Sequence, residues 1–143
     1  MTNKDRRFLE TARALAKIWS KDPSSQVCAI AVGATPNLVA WGYNGFPPGI
    51  EDTDDRLNNR DLKYALTRHA EPNALANATF PVETLYVTHH PCAKCAIDIL
   101  AYRSVKRVVY VLNLAFQERW ADSIGAARDL FLEAGVLIEG VEL

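Results

Sequence analysis

Cysteine is scarce in this chain, with three among 143 residues, and histidine is as scarce, also with three. So few thiols exclude a disulfide-stapled secreted scaffold, the more so because two of the three form one Cys-x-x-Cys pair. A protein of a reducing compartment is expected, and with it a cytoplasmic location. No apolar run approaches the length needed to span a bilayer, and the polar start from Met1 to Arg7 lacks the apolar stretch of a secretory signal. No membrane partner is expected. Neither sign of charge dominates: 16 Lys and Arg against 17 Asp and Glu leave a formal net charge of -1. That balance removes the bulk electrostatic reason to expect a nucleic-acid polymer as partner. Internal repeats, low-complexity tracts and interdomain linkers are absent as well. Residues 1–143 therefore read as a single domain, and 49% hydrophobic content is enough for a sizeable core.

What is present is a regular alternation of elements. Lys4 to Ile18, with Phe8, Leu9, Ala12, Leu15, Ala16 and Trp19 at helical spacing, predicts an amphipathic helix that Ser20-Lys21-Asp22-Pro23 ends. Val27 to Val32 and Leu38 to Tyr43 predict two antiparallel strands around the turn chemistry of Gly33 to Asn37. Asn44 to Arg60, rich in Gly, Pro, Asp and Asn, reads as a loop long enough to carry function. Beyond it follow a helix from Ala70 to about Ala78, a strand from Thr84 to His89 and a helix from Cys92 to Tyr102. A strand from Arg107 to Leu112, a helix from Ser123 to Ala134 and a strand from Val136 to Val141 complete the chain. Two strand–helix–strand units after a hairpin predict an α/β fold, a mixed sheet flanked by helices. Trp19 and Trp41 fit core faces, Cys28 reads as a small core hydrophobe, and Trp120 falls in a loop at an interface or pocket.

The chemistry is concentrated in two short segments, His69-Ala70-Glu71 and Pro91-Cys92-Ala93-Lys94-Cys95. One imidazole and two thiolates make three zinc ligands and leave the fourth tetrahedral position open for water. Glu71 is badly placed to bind the same ion and well placed to handle that water's proton. Cys92 and Cys95, three apart at a predicted helix start, turn their sulfurs to one side, and the positive helix end favours thiolates. Pro91 and Pro72 suit first helical turns, where a missing N–H costs nothing. Taken alone, Cys-x-x-Cys beside a strand–helix–strand pattern also suits a redox pair, and a lone histidine is usually not a ligand. The two motifs together, each opening a helix, favour the metal site. His89 and His90 are read as non-ligands, one of them facing the pocket rim.

His-x-Glu followed by Pro-Cys-x-x-Cys is the signature of zinc nucleobase deaminases. Three further segments extend the match: Ser20-Lys21-Asp22-Pro23-Ser24-Ser25-Gln26-Val27, Gly42-Tyr43-Asn44-Gly45-Phe46-Pro47-Pro48-Gly49, and Tyr86-Val87-Thr88 ahead of Pro91-Cys92. From about Ser20 to Val136 the chain resembles the cytidine and deoxycytidylate (dCMP) deaminase superfamily. The resemblance implies the three-layer α-β-α cytidine-deaminase-like fold, with a five-stranded mixed sheet and helices on both faces. It implies hydrolytic deamination of a pyrimidine deoxynucleotide, dCMP to dUMP plus ammonia, with zinc-bound hydroxide attacking C4 and Glu71 shuttling protons. His69, Cys92 and Cys95 are the implied ligands of one Zn2+ per chain. The backbone N–H groups of Ala70 and Cys92 are implied to hold the base and the tetrahedral oxygen. Asn44 is implied at the sugar 3′-hydroxyl, against its alternative reading as a turn asparagine. Lys21 and Ser24 are implied near the phosphate, and Arg56, Arg60 and Arg68 flank the long loop without any one standing out.

The match has departures. Many dCMP deaminases carry an acidic residue and a tyrosine shortly after the fourth strand, where this chain has Asn113-Leu114-Ala115-Phe116. That difference bears on the substituent at C5 of the base and on the monophosphate requirement. Ile50 to Arg68 contains neither Cys nor the His needed for the second zinc of some members, so one zinc is expected. A homo-oligomer, often a hexamer in this family, is also implied. Two alternatives share some of these features: a deaminase of a 5-substituted dCMP or of a base within tRNA or DNA, and a non-catalytic zinc-stabilised binding module in which Glu71 is idle.

Overall fold

The computed structural model describes residues 1–143. Its elements are α1 (Asn3–Trp19), β1 (Cys28–Val32), β2 (Val39–Tyr43), α2 (Asp54–Asn58), α3 (Arg60–Leu66), α4 (Ala70–Asn77), β3 (Thr84–Val87), α5 (Ala93–Ala101), β4 (Arg107–Val111), α6 (Leu114–Arg119), α7 (Ala121–Ala134) and β5 (Leu137–Val141). The five strands form one sheet in the order β2-β1-β3-β4-β5. β1 runs antiparallel to both neighbours, whereas β3, β4 and β5 are mutually parallel. The expected three-layer α/β fold with a five-stranded mixed sheet is the fold observed.

Period-two alternation assigns the two faces. Cys28, Ile30, Val32, Tyr86 and Val109 turn to α1, which presents Leu9, Ala12 and Ala16. Ala29, Ala31, Leu85, Val87 and Val108 turn the other way, onto Ala74 and Leu75 of α4, Ala96 and Ile99 of α5, and Ala127 and Phe131 of α7. Cys28 sits in the core as expected, and burial pushes its thiol up to about 12, leaving it inert. A buried polar knot pins α1 to the sheet: Asp5, fully buried, accepts from Arg107 at 2.8 and 3.0 Å and from the Tyr86 hydroxyl at 2.8 Å. Asp5 also closes a capping box with Thr2 at the start of α1. No helix is long and apolar enough to cross a membrane.

Two contacts fix α4 against the sheet. Gly42 lets β2 approach so closely that a Cβ there would lie 2.4 Å from the Ala74 nitrogen and 2.6 Å from the Asn73 Cβ. Asn73 and Asn77 donate their side-chain amides to the carbonyls of Tyr43 and Trp41 at 2.8 and 2.9 Å. Those carbonyls face away from β1, because the neighbouring Leu38 and Asn44 make the inward bonds to Gly33 and Val27.

Several expectations are corrected. The stretch expected as loop holds α2 and α3, each started by a side-chain cap, Thr53 and Asn59. α6 was not expected either; Asn113 caps it by accepting from the Phe116 N–H at 3.0 Å. Trp19 is not core but 49% exposed, because α1 outruns the sheet there, and it leans on Trp41 and Tyr43 with ring centroids 6.0 and 6.3 Å away. Pro91 lies before α5 rather than within its first turn, because Cys92 is the cap.

Candidate active site

Both metal-site segments are helix caps, which explains their place in the sequence. His69 is the N-cap of α4 and makes no side-chain capping bond, so its imidazole is free to turn outward. Cys92 is the N-cap of α5, and its Sγ accepts the Cys95 N–H at 3.4 Å. The packing of α4 on β2 and of α5 on the same sheet face brings the two caps together. His69 Nδ1 lies 3.2 Å from Cys95 Sγ and 3.7 Å from Cys92 Sγ. All three ligand atoms fall within 4.8 Å of one another.

A tetrahedral zinc with Zn–S of about 2.3 Å and Zn–N of about 2.0–2.1 Å sets its ligand atoms roughly 3.5–3.8 Å apart. The two nitrogen–sulfur spacings of 3.2 and 3.7 Å lie close to that range, and the donor set of two sulfurs and one nitrogen suits zinc. Burial falls from Cys95 through Cys92 to His69, so the cluster opens on the histidine side. The hydrogen bond with Cys95 lowers the Cys92 thiol to about 4, while the same bond raises Cys95. His69 is raised, chiefly by its hydrogen bond with Cys92.

Glu71 occupies the first turn of α4, is 4% exposed, and accepts from Cys95 Sγ at 3.4 Å. Desolvation is the main cause of its raised carboxyl pKa. A buried carboxyl with a raised pKa beside a metal cluster is a candidate to exchange protons there. The N–H of Ala70, in the first turn of α4, has no intrahelical acceptor and points to the same helix end.

The remaining expected residues are not gathered there. The Asn44 amide is taken up by the protein itself: Oδ1 accepts from Ser20 Oγ at 2.7 Å and Val27 N–H at 2.9 Å, and Nδ2 donates to the Ser25 carbonyl at 2.7 Å. This ties the entrance segment to the glycine-rich loop. Lys21 and Ser24, expected together near a phosphate, are separated. Lys21 is paired with Asp52 at 3.0 Å and faces a small hollow beside Trp19 and Tyr43, whereas Ser24 lines another cavity with Thr88, His89 and Asn113. His89, on that cavity's wall, meets Phe116 in a tilted contact with ring centroids 4.8 Å apart, and His90 is buried with Nδ1 donating to the Pro91 carbonyl at 2.8 Å. Sequence reading missed Asp22, whose Oδ1 accepts from Ser24 N–H, Ser25 N–H and the buried Lys63 ammonium at 2.8, 3.0 and 3.0 Å. The Asp-Pro-Ser run was the available signal, since Asp binds backbone two and three residues on.

An α-β-α layering with an open nitrogen–sulfur metal site and an unligated buried carboxylate defines a class, the metal-dependent hydrolases that activate water. Within that class, residues 2–112 match the family model of the cytidine and deoxycytidylate deaminase zinc-binding region, and the chain belongs to that family of hydrolytic deaminases. It is 36% identical over 140 residues to "Uncharacterized deaminase in luxG 3'region" of Aliivibrio fischeri, covering 96% of this chain and 93% of the relative. It is 37% identical over 127 residues to deoxycytidylate deaminase of Homo sapiens, covering 82% of this chain and 68% of the human protein. The crystal structure of dCMP deaminase from cyanophage S-TIM5 in apo form superposes with a TM-score of 0.74 at 25% identity, covering 99% and 100% of the two chains.

Proposed function

We propose that this chain deaminates a pyrimidine deoxynucleotide, dCMP to dUMP, with one zinc held by His69, Cys92 and Cys95 and with Glu71 as the proton shuttle. The observation that carries the reading is Glu71, buried next to three convergent ligand atoms and hydrogen-bonded to one of them, Cys95. A zinc ion in this ligand set supplies Lewis acidity, which makes water a usable nucleophile near neutral pH. With two thiolates neutralising the ion's charge, the acidification is weaker than in an all-histidine site, so a protein base is needed.

Glu71 answers that need. It takes a proton from the water that adds to C4, then delivers protons to ring N3 and to the departing amine. Water and cytosine become uracil and ammonia, and Glu71 ends as it began. Burial raises its pKa, which favours the protonated form that must deliver protons to the ring and the amine. The unpaired first-turn N–H of Ala70 is positioned to bond the base carbonyl. Asn44 supports this machinery by holding Ser25 and Val27 in place. The dCMP assignment is supported by the relatives named deoxycytidylate deaminase and by the entrance segment that the chain shares with that family.

The test is a panel of cytidine, deoxycytidine, dCMP, CMP, 5-methyl-dCMP and adenosine compounds, assayed for ammonia release with zinc counted per chain. Turnover led by dCMP is expected. In Glu71→Ala, turnover should fall by about 10²–10⁴-fold with zinc content unchanged. A Glu71→Ala protein with most of its activity would show that another group moves the proton. Ammonia release from none of the compounds by the zinc-loaded protein would favour a binding module instead.

A further inference from the structure

We propose that His90 and Ser123 are positioning residues that fix the two peptide groups on either side of Cys92, and so hold its sulfur in the metal cluster. The inference rests on the zinc reading of His69, Cys92 and Cys95 and adds two residues that bind no metal themselves. Cys92 is the sulfur in need of such support. Cys95 is 2% exposed and lies inside α5, where helical hydrogen bonding sets its backbone. Cys92 is only half-buried and lies outside the helix as its N-cap, with φ -76° and ψ 170°. The one backbone bond it makes is through its carbonyl, which accepts the Ala96 N–H at 2.9 Å.

Two side chains supply the rest. His90 Nδ1 lies 2.8 Å from the Pro91 carbonyl oxygen, which can only accept, so Nδ1 carries the proton. That carbonyl takes no backbone N–H, and His90 is its only partner. On the other side, the Ala93 N–H, an orphan of the first turn of α5, donates to Ser123 Oγ at 3.0 Å. Each peptide group is a rigid plane, and these two planes enter and leave Cys92. Holding both fixes φ and ψ of Cys92, and with them the direction of its Cβ and Sγ. The Cys92 N–H, which has no acceptor in the protein, is trans to the Pro91 carbonyl across one plane and takes its direction from the same hold. Both holds lead back to α7. Ser123 lies in its first turn, and Arg128 donates to the Tyr110 hydroxyl at 3.2 Å; the Tyr110 ring meets that of His90 edge-on, with centroids 4.5 Å apart. Packing alone gives no reason for a histidine here. His90 is 2% exposed and its Nε2 has no hydrogen-bond partner, an unpaired atom that a phenyl ring in the same place would lack.

The test measures zinc transfer to an excess of chelator, the absorption of the cobalt-substituted protein, and kcat for dCMP in wild type, His90→Phe, His90→Asn, Ser123→Ala and Ser123→Thr. Thermal melts of the metal-free proteins run alongside. Loss of a group that orients a metal ligand lowers metal affinity or activity by about 10–100-fold, so zinc transfer should quicken by at least about tenfold in His90→Phe and in Ser123→Ala. Sulfur-to-cobalt absorption should weaken in both, and kcat should fall by about 10–100-fold. Asparagine keeps a donor at the Nδ1 position and threonine keeps the hydroxyl, so His90→Asn and Ser123→Thr should recover most of the wild-type values. A merely structural role would show as a lower Tm of the metal-free protein. His90→Phe should instead melt at the wild-type temperature or above, because it removes a buried unpaired nitrogen. Wild-type zinc transfer and cobalt absorption in either His90→Phe or Ser123→Ala overturns the proposal, and so does a loss that follows the metal-free Tm or that His90→Asn and Ser123→Thr fail to recover. If the zinc-loaded wild type releases no ammonia, the deaminase reading fails, and zinc transfer and cobalt absorption decide this proposal by the same criteria.

Discussion

Gly42 is the point where a single methyl group should displace the helix that carries both His69 and Glu71. A Cβ at that position would stand 2.4 Å from the Ala74 nitrogen, 2.6 Å from the Asn73 Cβ and 2.7 Å from the Asn73 carbonyl carbon. These are backbone and near-backbone atoms of α4, so no flexible side-chain end can step aside. Gly42→Ala must therefore push α4 off β2 by about 1 Å to restore ordinary contact distances. Overpacking of this kind costs about 1–3 kcal/mol, which for a chain of this size lowers Tm by roughly 4–12 °C. The catalytic effect should be larger. α4 carries Glu71, and a misplacement of about 1 Å can cost on the order of 10²-fold in rate. His69 moves with the helix while Cys92 and Cys95 stay on α5, so zinc affinity should fall along with kcat. The assay pairs a thermal melt with kcat for dCMP and zinc content per chain. Normal Tm and normal kcat in Gly42→Ala would refute the claim that this contact sets the position of the catalytic helix.

Other consequences can be measured separately. The Arg107 guanidinium beside Asp5 holds its carboxyl well below the usual carboxylate range, so the pair stabilises the fold fully above the ordinary Asp pKa of about 4 and loses that contribution as pH falls toward the folded value. Arg107→Met should cost about 3–5 kcal/mol at pH 7 in denaturant melts, with the gap from wild type closing below about pH 4; a pH-independent gap would refute the linkage. Zinc uptake by the metal-free protein near pH 7 should release at least one proton, because Cys95 holds its proton while Cys92 does not. Calorimetry in buffers of different ionisation enthalpy checks this, and binding heats that are the same in every buffer would contradict it. A chelator should abolish turnover, with zinc restoring it.

The elements with strong periodicity were legible from sequence: α1, the five strands, α4, α5 and α7 all stand within a few residues of expectation. The short helices were not. α2, α3 and α6 bury little apolar surface, and their starts depend on the caps Thr53, Asn59 and Asn113 rather than on any hydrophobic stripe. The three ligands and Glu71 were legible because their chemistry is local, two residues apart in one segment and three in the other. Contacts that join distant segments were hidden. Nothing in sequence spacing says that Lys63 reaches Asp22, that Asp5 meets Arg107, or that Lys21 and Ser24 part company. Asn44 shows the limit most clearly: its position in the chain was informative, and the use of its amide was decided by three neighbours.

The side-chain amides of Asn73 and Asn77 have a consequence for how copies of this chain can meet. By occupying the Tyr43 and Trp41 carbonyls, they close one border of the sheet to any further strand. β5 forms the opposite border, with Leu137 exposed. Sheet-to-sheet growth is thus directional: a second chain could extend this sheet along β5 and not along β2. The two asparagines that guard this border belong to α4, the helix that also carries Glu71.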